Sequence, residues 1–407
     1  MEQNQAFDVA VIGGGPAGLT SSYHAARMGC SVVLIDRKAV PGEKIVLSGG
    51  GRCNILPVAV DPSTYVTDSS RHTLRKILLS WPLADVQTFL QRHIGLRLVE
   101  EGDTGKLFPA SHGGEEVRRR FLLAVRRVGV HLKTRTKAVN IDPGKPHRLI
   151  LEGGKTIHAD RVIIATGGLS YPQTGSDGIG LEIARALGHA IVEPYAALVA
   201  LHGSPATHRN LAGLSLRVAV TVGEGEKRVR SRGGFLFTHR GYSGPAVLNI
   251  GHLAARAHRD GQPLPITVSW GDRTAEEWTE LLSSGNRTLR ETVGQVLPDR
   301  LVVCLLAELG LTKAKHAALR KSDRHQLVEA LTAYSLPWCK AGGFNEAEVT
   351  GGGVHLSEVN PKTLCSRKVP GMYFCGEILD AFGPIGGMNF LWAFVTGKCA
   401  GEGAASD

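Results

Sequence analysis

The stretch Phe7-Asp8-Val9-Ala10-Val11-Ile12-Gly13-Gly14-Gly15-Pro16-Ala17-Gly18 decides the fold. Its apolar run predicts a buried strand that feeds straight into Gly-x-Gly-x-x-Gly. An alanine-rich segment to about Met28 predicts a helix, and Ser31 to Ile35 predicts a second strand ending at Asp36. Strand, glycine turn, helix, strand and acid stand in the order that dinucleotide binding requires. Gly13 permits the tight turn, Gly15 lets the backbone approach a pyrophosphate, and Gly18 lets the helix sit close to the sheet. The helix N-terminus, with Pro16 and Ala17, then faces the phosphates. Asp36, with Arg37 beside it, is placed to accept a hydrogen bond from a ribose hydroxyl. A glycine-rich surface loop would leave the acid at the end of the second strand unexplained.

Further segments point to the same ligand. Lys44 and the run Ser48-Gly49-Gly50-Gly51-Arg52-Cys53-Asn54 follow. Many backbone N–H groups around one arginine suit a phosphate or a flavin edge. Cys53 is either a reactive thiol or a small packed residue, and packing is the simpler account. Arg161 to Ile164 predicts a strand ending in Ala165-Thr166-Gly167-Gly168, where small residues allow a ligand near the backbone. The glycine signal returns at the chain end. Ala347 to Val354 is a strand with glycines, and Gly371 to Phe374 leads through Cys375 to Gly376-Glu377. Gly386-Gly387-Met388-Asn389 opens a helix through Trp392. Its N-terminus can stabilise negative charge on the pyrimidine end of a reduced flavin. A nicotinamide site needs no such distant partner, whereas one FAD threaded between both chain ends does. No second Gly-x-Gly-x-x-Gly occurs, so NADH or NADPH, as electron donor, would dock over the flavin.

Between these segments, Pro143-Gly144 and Gly153-Gly154 separate short alternating runs and predict an antiparallel meander. After Pro194 the composition shifts. The expected organisation is an FAD-binding domain from residues 1–194 and 345–407, a β-rich insert at 195–270 and a helical insert at 271–344. Polar breaks in the helical part fall at Ser284-Gly285-Asn286 and Pro298-Asp299.

Hydrophobic residues make up 43% of the chain and charged residues 21%, which fits a packed globule. There is no secretory signal and no apolar run long enough to span a bilayer, so a cytoplasmic protein without a membrane partner is expected. The seven cysteines are dispersed and form no C-x-x-C, so reduced thiols and no metal are expected. The net charge is +10. Arg118, Arg119, Arg120, Arg126, Arg127, Lys133, Arg135 and Lys137 fall between Val117 and Ile141 without an acid. Lys227, Arg228, Arg230, Arg232 and Arg240 form a second cluster, and Lys313, Lys315, Arg320, Lys321 and Arg324 a third. Such fields attract a polyanion such as RNA, or are solvated surface.

Leu47 to Asn54, Ala165 to Gly168, Phe237-Thr238-His239-Arg240-Gly241-Tyr242-Ser243-Gly244-Pro245, Ala347 to Val354 and Tyr373 to Glu377 together resemble a known family. It is the bacterial FAD-dependent oxidoreductase family typified by aminoacetone oxidase, a bile-acid-intermediate reductase and a ribosomal-RNA dihydrouridine synthase. The resemblance runs through nearly the whole chain. It implies an α/β fold: a glutathione-reductase-like FAD-binding Rossmann domain with an inserted β-barrel-like and helical region. Met388 and Leu391 depart from the family's Gly-Gly-Tyr-Asn-x-Gln pattern, and Phe382 and Pro384 are also atypical. The expected activity is reduction of an activated C=C bond by hydride from reduced flavin. The acceptor is a small molecule or a uridine of ribosomal RNA. An amine oxidase using oxygen and a non-catalytic flavin-bound RNA-binding factor are the alternatives. His239 is the candidate proton donor, set against a structural histidine.

Overall fold

The computed structural model describes residues 6–203, 205–225, 228–262, 264–283, 287–314 and 319–407; Lys227, Lys315 and the break at Ser284-Gly285-Asn286 lie outside them. The chain divides into two compact units, residues 1–196 with 348–407, and residues 197–347.

The first unit is built on a seven-stranded sheet. Across it run His131–Lys133, Val32–Ile35, Ala6–Ile12, Thr156–Ile164, His147–Leu151 and Ala138–Asp142, and Met372–Phe374 also pairs with Thr156–Ile164. The strands nearest the chain start are parallel, with Val11 opposite Leu34 on one side and Ile163 on the other. Val9, Ala10, Val11, Val33 and Leu34 have no exposed surface, because a parallel sheet is covered on both faces. The meander is antiparallel and closes the other edge.

The helix Pro16–Arg27 starts with proline at its first position and Gly15 as its cap. It packs on the C-terminal helix Met388–Ser406, which is buried nearly all round. The contact is backbone on backbone. A Cβ on Gly397 would stand 2.6 Å from the Ala17 carbonyl oxygen, and one on Gly401 would stand 2.4 Å from that of Ser21. Both glycines are therefore required by close approach of the two helices.

The second unit holds one antiparallel sheet of seven strands, in the order Tyr334–Ser335, Ile266–Trp270, Ser215–Val222, Val229–Thr238, Gly241–Ser243, Leu201–His202 and Lys340–Ala341. Its inner face carries Val218, Val220, Phe235, Phe237 and Trp270. Phe237 stacks on Trp270 with ring centroids 5.7 Å apart. The helices Pro245–Arg259, Ala275–Leu281, Leu289–Val293, Asp299–Glu308 and Lys321–Thr332 bury their apolar sides in the same core. Thr274 and Thr288 begin two of these helices with capping boxes to Glu277 and Glu291.

Candidate active site

A cleft in the first unit opens at the carboxyl ends of its parallel strands, where ligands of open α/β sheets bind. It holds about 1260 Å³ of space, counting the solvent open to its mouth. Gly13, Gly14, Gly15, Pro16 and Ala17 form its floor. Asp36, Arg37 and Lys38 line one part, and Asn389, Phe390, Trp392 and Ala393 of the C-terminal helix line another.

The glycines divide their work as the motif predicts. A Cβ on Gly18 would lie 1.8 Å from the Gly13 carbonyl oxygen, so that position serves packing. A Cβ on Gly15 meets nothing within 4 Å, so it would project into open cleft. This bare backbone at a helix N-terminus fits a pyrophosphate. Asp36 accepts hydrogen bonds from the Gly14 and Lys38 amides, both at 2.7 Å. Burial pushes its carboxyl upward, and these two amides pull against that. A carboxylate accepts about four hydrogen bonds, so room remains for a ribose hydroxyl. Asp36→Ala is expected to weaken flavin binding by about 1–3 kcal/mol, read as the flavin dissociation constant.

A polar network holds another part of the wall. Glu377 accepts from Lys44 Nζ at 2.9 Å, from the Thr350 amide at 3.0 Å and from the Ser170 hydroxyl. Lys44 also donates to Ser170 Oγ at 2.8 Å. Burial alone would raise the Glu377 carboxyl, but the Lys44 charge and these hydrogen bonds hold it below its ordinary value. Thr350 Oγ1 accepts from the amides of Leu169 and Ser170. A Cβ on Gly168 would stand only 2.4 Å from it, which explains the second glycine of Ala165-Thr166-Gly167-Gly168. Gly376 is fixed by Thr396, which accepts from its amide at 2.9 Å, and by Trp392, whose indole donates to its carbonyl at 3.1 Å. Asn389 clasps the amide and carbonyl of Gly383, each at 2.9 Å.

Of the residues singled out from sequence, Gly13, Gly15, Pro16, Ala17, Asp36, Arg37, Lys44, Ser48, Ala165, Thr166, Gly167, Gly376, Glu377 and Asn389 line the cleft. The others do not. Gly49 and Gly50 take left-handed conformations in the exposed turn after Ser48. Arg52 pairs with Glu101 and lies over the Phe108 ring. Cys53 has no exposed surface, and burial pushes its thiol up to about 11, so packing is its role. Asn54 Oδ1 is buried without a partner among the described residues. Gly387 presses on the Leu56 backbone, Gly386 precedes it, and the Met388 carbonyl accepts from Tyr65 at 2.8 Å. His239 lies exposed in the turn between Val229–Thr238 and Gly241–Ser243.

No motif marks Thr136, Lys137 and Ala138, or Ala381, as cleft wall, yet all of them line it, beside Glu348, Val349 and Phe390 from the glycine strand and helix read near the chain end. Lys137 and Arg37 both pair with Asp177, at 2.8 and 2.6 Å, which ties the meander to the segment after the second strand.

A bare-backbone floor, an acid at the second strand and a partly aromatic far wall fit a long cofactor with a diphosphate centre. A family model described as HI0933-like protein Rossmann domain matches residues 7–403. The chain belongs to the HI0933-like family. This HI0933-like chain is 32% identical over 394 residues to the ribosomal RNA dihydrouridine synthase of Escherichia coli K12, with 95% of each chain covered. It is 29% identical over 409 residues to the 3-dehydro-bile acid delta(4,6)-reductase of Clostridium scindens, with 98% of each covered. Among solved structures it resembles the 3-ketosteroid-delta4-(5alpha)-dehydrogenase of Rhodococcus jostii RHA1. The TM-score is 0.53 and the identity 14%, over 100% of this chain and 98% of that one, a likeness of fold. The protein is an FAD-dependent oxidoreductase with a Rossmann-type FAD-binding domain. Among the described residues no helix is long and apolar enough to cross a membrane.

Proposed function

We propose that the chain reduces an activated carbon–carbon double bond and that its acceptor is a uridine of ribosomal RNA in the cytoplasm, with NADH or NADPH as electron source. FAD, when bound, supplies the hydride. The glycine floor binds the diphosphate, Asp36 orients a ribose, and the Lys44–Glu377 pair sets the charge of the wall. Phe390 and Trp392 keep that part of the cleft apolar.

The observation that carries the RNA reading is an arginine face on the second unit. In the strand register Arg217 lies opposite Gly234, Ala219 opposite Arg232, and Thr221 opposite Arg230. Val218, Val220 and Val222 point inward, so Arg217, Arg230 and Arg232 share the outward face. All three are exposed, and none is in an ion pair among the described residues. Arg118, Arg119 and Arg120 are different: Glu115 and Glu116, one turn earlier, pair with them. The arginine face is thus better suited to phosphates than that triplet. Changing Arg217, Arg230 and Arg232 to Gln should lower the slope of log affinity against log salt by about 1 for each phosphate no longer neutralised, with bound flavin unchanged. An unchanged slope would leave this face as solvated surface.

His239 is the proposed proton donor. His239→Ala should slow turnover by about 100-fold or more while flavin reduction by nicotinamide keeps its rate. Equal turnover would remove it from the chemistry. The reading as a whole is tested by mapping dihydrouridine in ribosomal RNA from cells with and without the gene. Loss of one dihydrouridine supports it. An unchanged map, with reduced flavin reoxidised rapidly by a small enone, transfers the activity to a small-molecule substrate, as the 29% identity to the bile-acid reductase would suit.

A further inference from the structure

We propose that the second unit binds a divalent metal ion of the zinc class between His208, Cys304 and Glu308, apart from the flavin chemistry. Cys304 and Glu308 are four residues apart on the helix Asp299–Glu308 and so share one face. His208 comes from the short helix Ala206–Arg209. Glu308 Oε1 lies 3.2 Å from His208 Nε2, and a Glu308 carboxylate oxygen lies 3.6 Å from Cys304 Sγ. The three ligand atoms all fall within 4.8 Å of one another. A tetrahedral zinc with bonds of about 2.0–2.3 Å spaces its ligands roughly 3.3–3.7 Å apart, so these groups need only small movements to close on one ion.

The surroundings suit ligation. Nδ1 of His208 is 2.8 Å from the Tyr242 hydroxyl, which orients the ring and directs Nε2 at the other two ligands. Thr207 donates to Glu308 Oε1 at 3.2 Å. The Tyr334 hydroxyl is 3.0 Å from both His208 Nε2 and Glu308 Oε2, so it marks the place of a fourth oxygen, its own or that of a water. His208 and Cys304 are buried, whereas Glu308 reaches solvent and gives an ion a route in. Imidazole, thiolate and carboxylate together select zinc or cobalt over calcium or magnesium. On binding, the Cys304 S–H bond is replaced by a sulfur–metal bond and its proton leaves to solvent, with no change of oxidation state. The ion would fasten the helix Asp299–Glu308 to the helix Ala206–Arg209 that carries His208.

The test uses the full FAD-loaded chain, stripped with a chelator and titrated with cobalt(II). The expected result is one cobalt per chain, with d–d bands to the red of oxidised flavin and a thiolate charge-transfer band, both abolished by zinc. Cys304→Ser should lose the charge-transfer band and Glu308→Gln should bind about 10–100-fold more weakly, each with full flavin content. Wild type without d–d bands would overturn the proposal and leave the cluster as an imidazole–carboxylate hydrogen-bond network. Equal cobalt binding by wild type, Cys304→Ser and Glu308→Gln would overturn it as well, by placing the metal elsewhere.

Discussion

Gly15→Val is expected to leave the chain folded and strip it of flavin. The φ of Gly15 is −73°, within the range of any residue, so valine brings no backbone strain. Its Cβ would meet nothing within 4 Å, so it brings no clash with the protein either. The new side chain stands instead over the helix N-terminus, where the diphosphate must come within hydrogen-bond range. Affinity should fall roughly 100-fold or more, about 2.7 kcal/mol. Flavin absorbance of the purified protein measures the loss, and far-UV circular dichroism shows the fold retained. Gly18→Ala is the contrast. There the added methyl would lie 1.8 Å from the Gly13 carbonyl oxygen, so the first turn cannot close and folded protein should be lost. Flavin content in Gly15→Val equal to wild type would place the cofactor elsewhere.

Lys44→Met should cost about 3 kcal/mol of unfolding free energy, because it leaves Glu377 half-buried without its countercharge. Urea unfolding measures it. Glu377→Gln in the same chain should recover much of the loss, since the stranded charge is then gone. The pH dependence carries its own sign. In wild type the Glu377 carboxyl is held below its ordinary value of 4.5, so its contribution is present above that value. It is lost as pH falls through the depressed folded value. In Lys44→Met the Lys44 charge and its hydrogen bond are gone, burial is opposed only by the Ser170 and Thr350 hydrogen bonds, and the balance moves toward the protonated acid. The gap between variant and wild type should therefore narrow as pH drops below about 4.5. A gap constant from neutral to acid pH would show that the pair does not act through charge.

Much of this site is legible in the sequence because its parts are local. Gly13 to Gly18 and Asp36 form one βαβ unit, and each glycine's task follows from its place in the turn. Gly376-Glu377 and the helix after Gly387 are readable as a second arm for the same reason. What is not legible depends on partners far apart in the chain. Lys44 and Glu377 are separated by 333 positions, and neither sequence neighbourhood names the other. Thr136 to Ala138 join the cleft wall through the meander, which carries no motif of its own. Gly397 and Gly401 read only as small residues in a helix until Ala17 and Ser21 are seen against them. The triplet Arg118, Arg119 and Arg120 looks unopposed in a window that opens at Val117. Glu115 and Glu116 lie just before that window, and helical geometry brings them alongside. Cys304 and Glu308 escape notice because zinc patterns are sought among paired cysteines, and His208 lies in a different segment.

The most direct measurement is a single-turnover reaction without oxygen. The FAD-loaded chain is reduced with one equivalent of NADPH or NADH and mixed with ribosomal RNA that lacks dihydrouridine. Flavin absorbance and dihydrouridine are followed together. The expected result is reoxidation of the flavin with one dihydrouridine formed for each flavin oxidised, since reduction of one C=C bond takes two electrons. Flavin that stays reduced with this RNA, and is reoxidised only when oxygen or a small enone is added, would contradict the assignment.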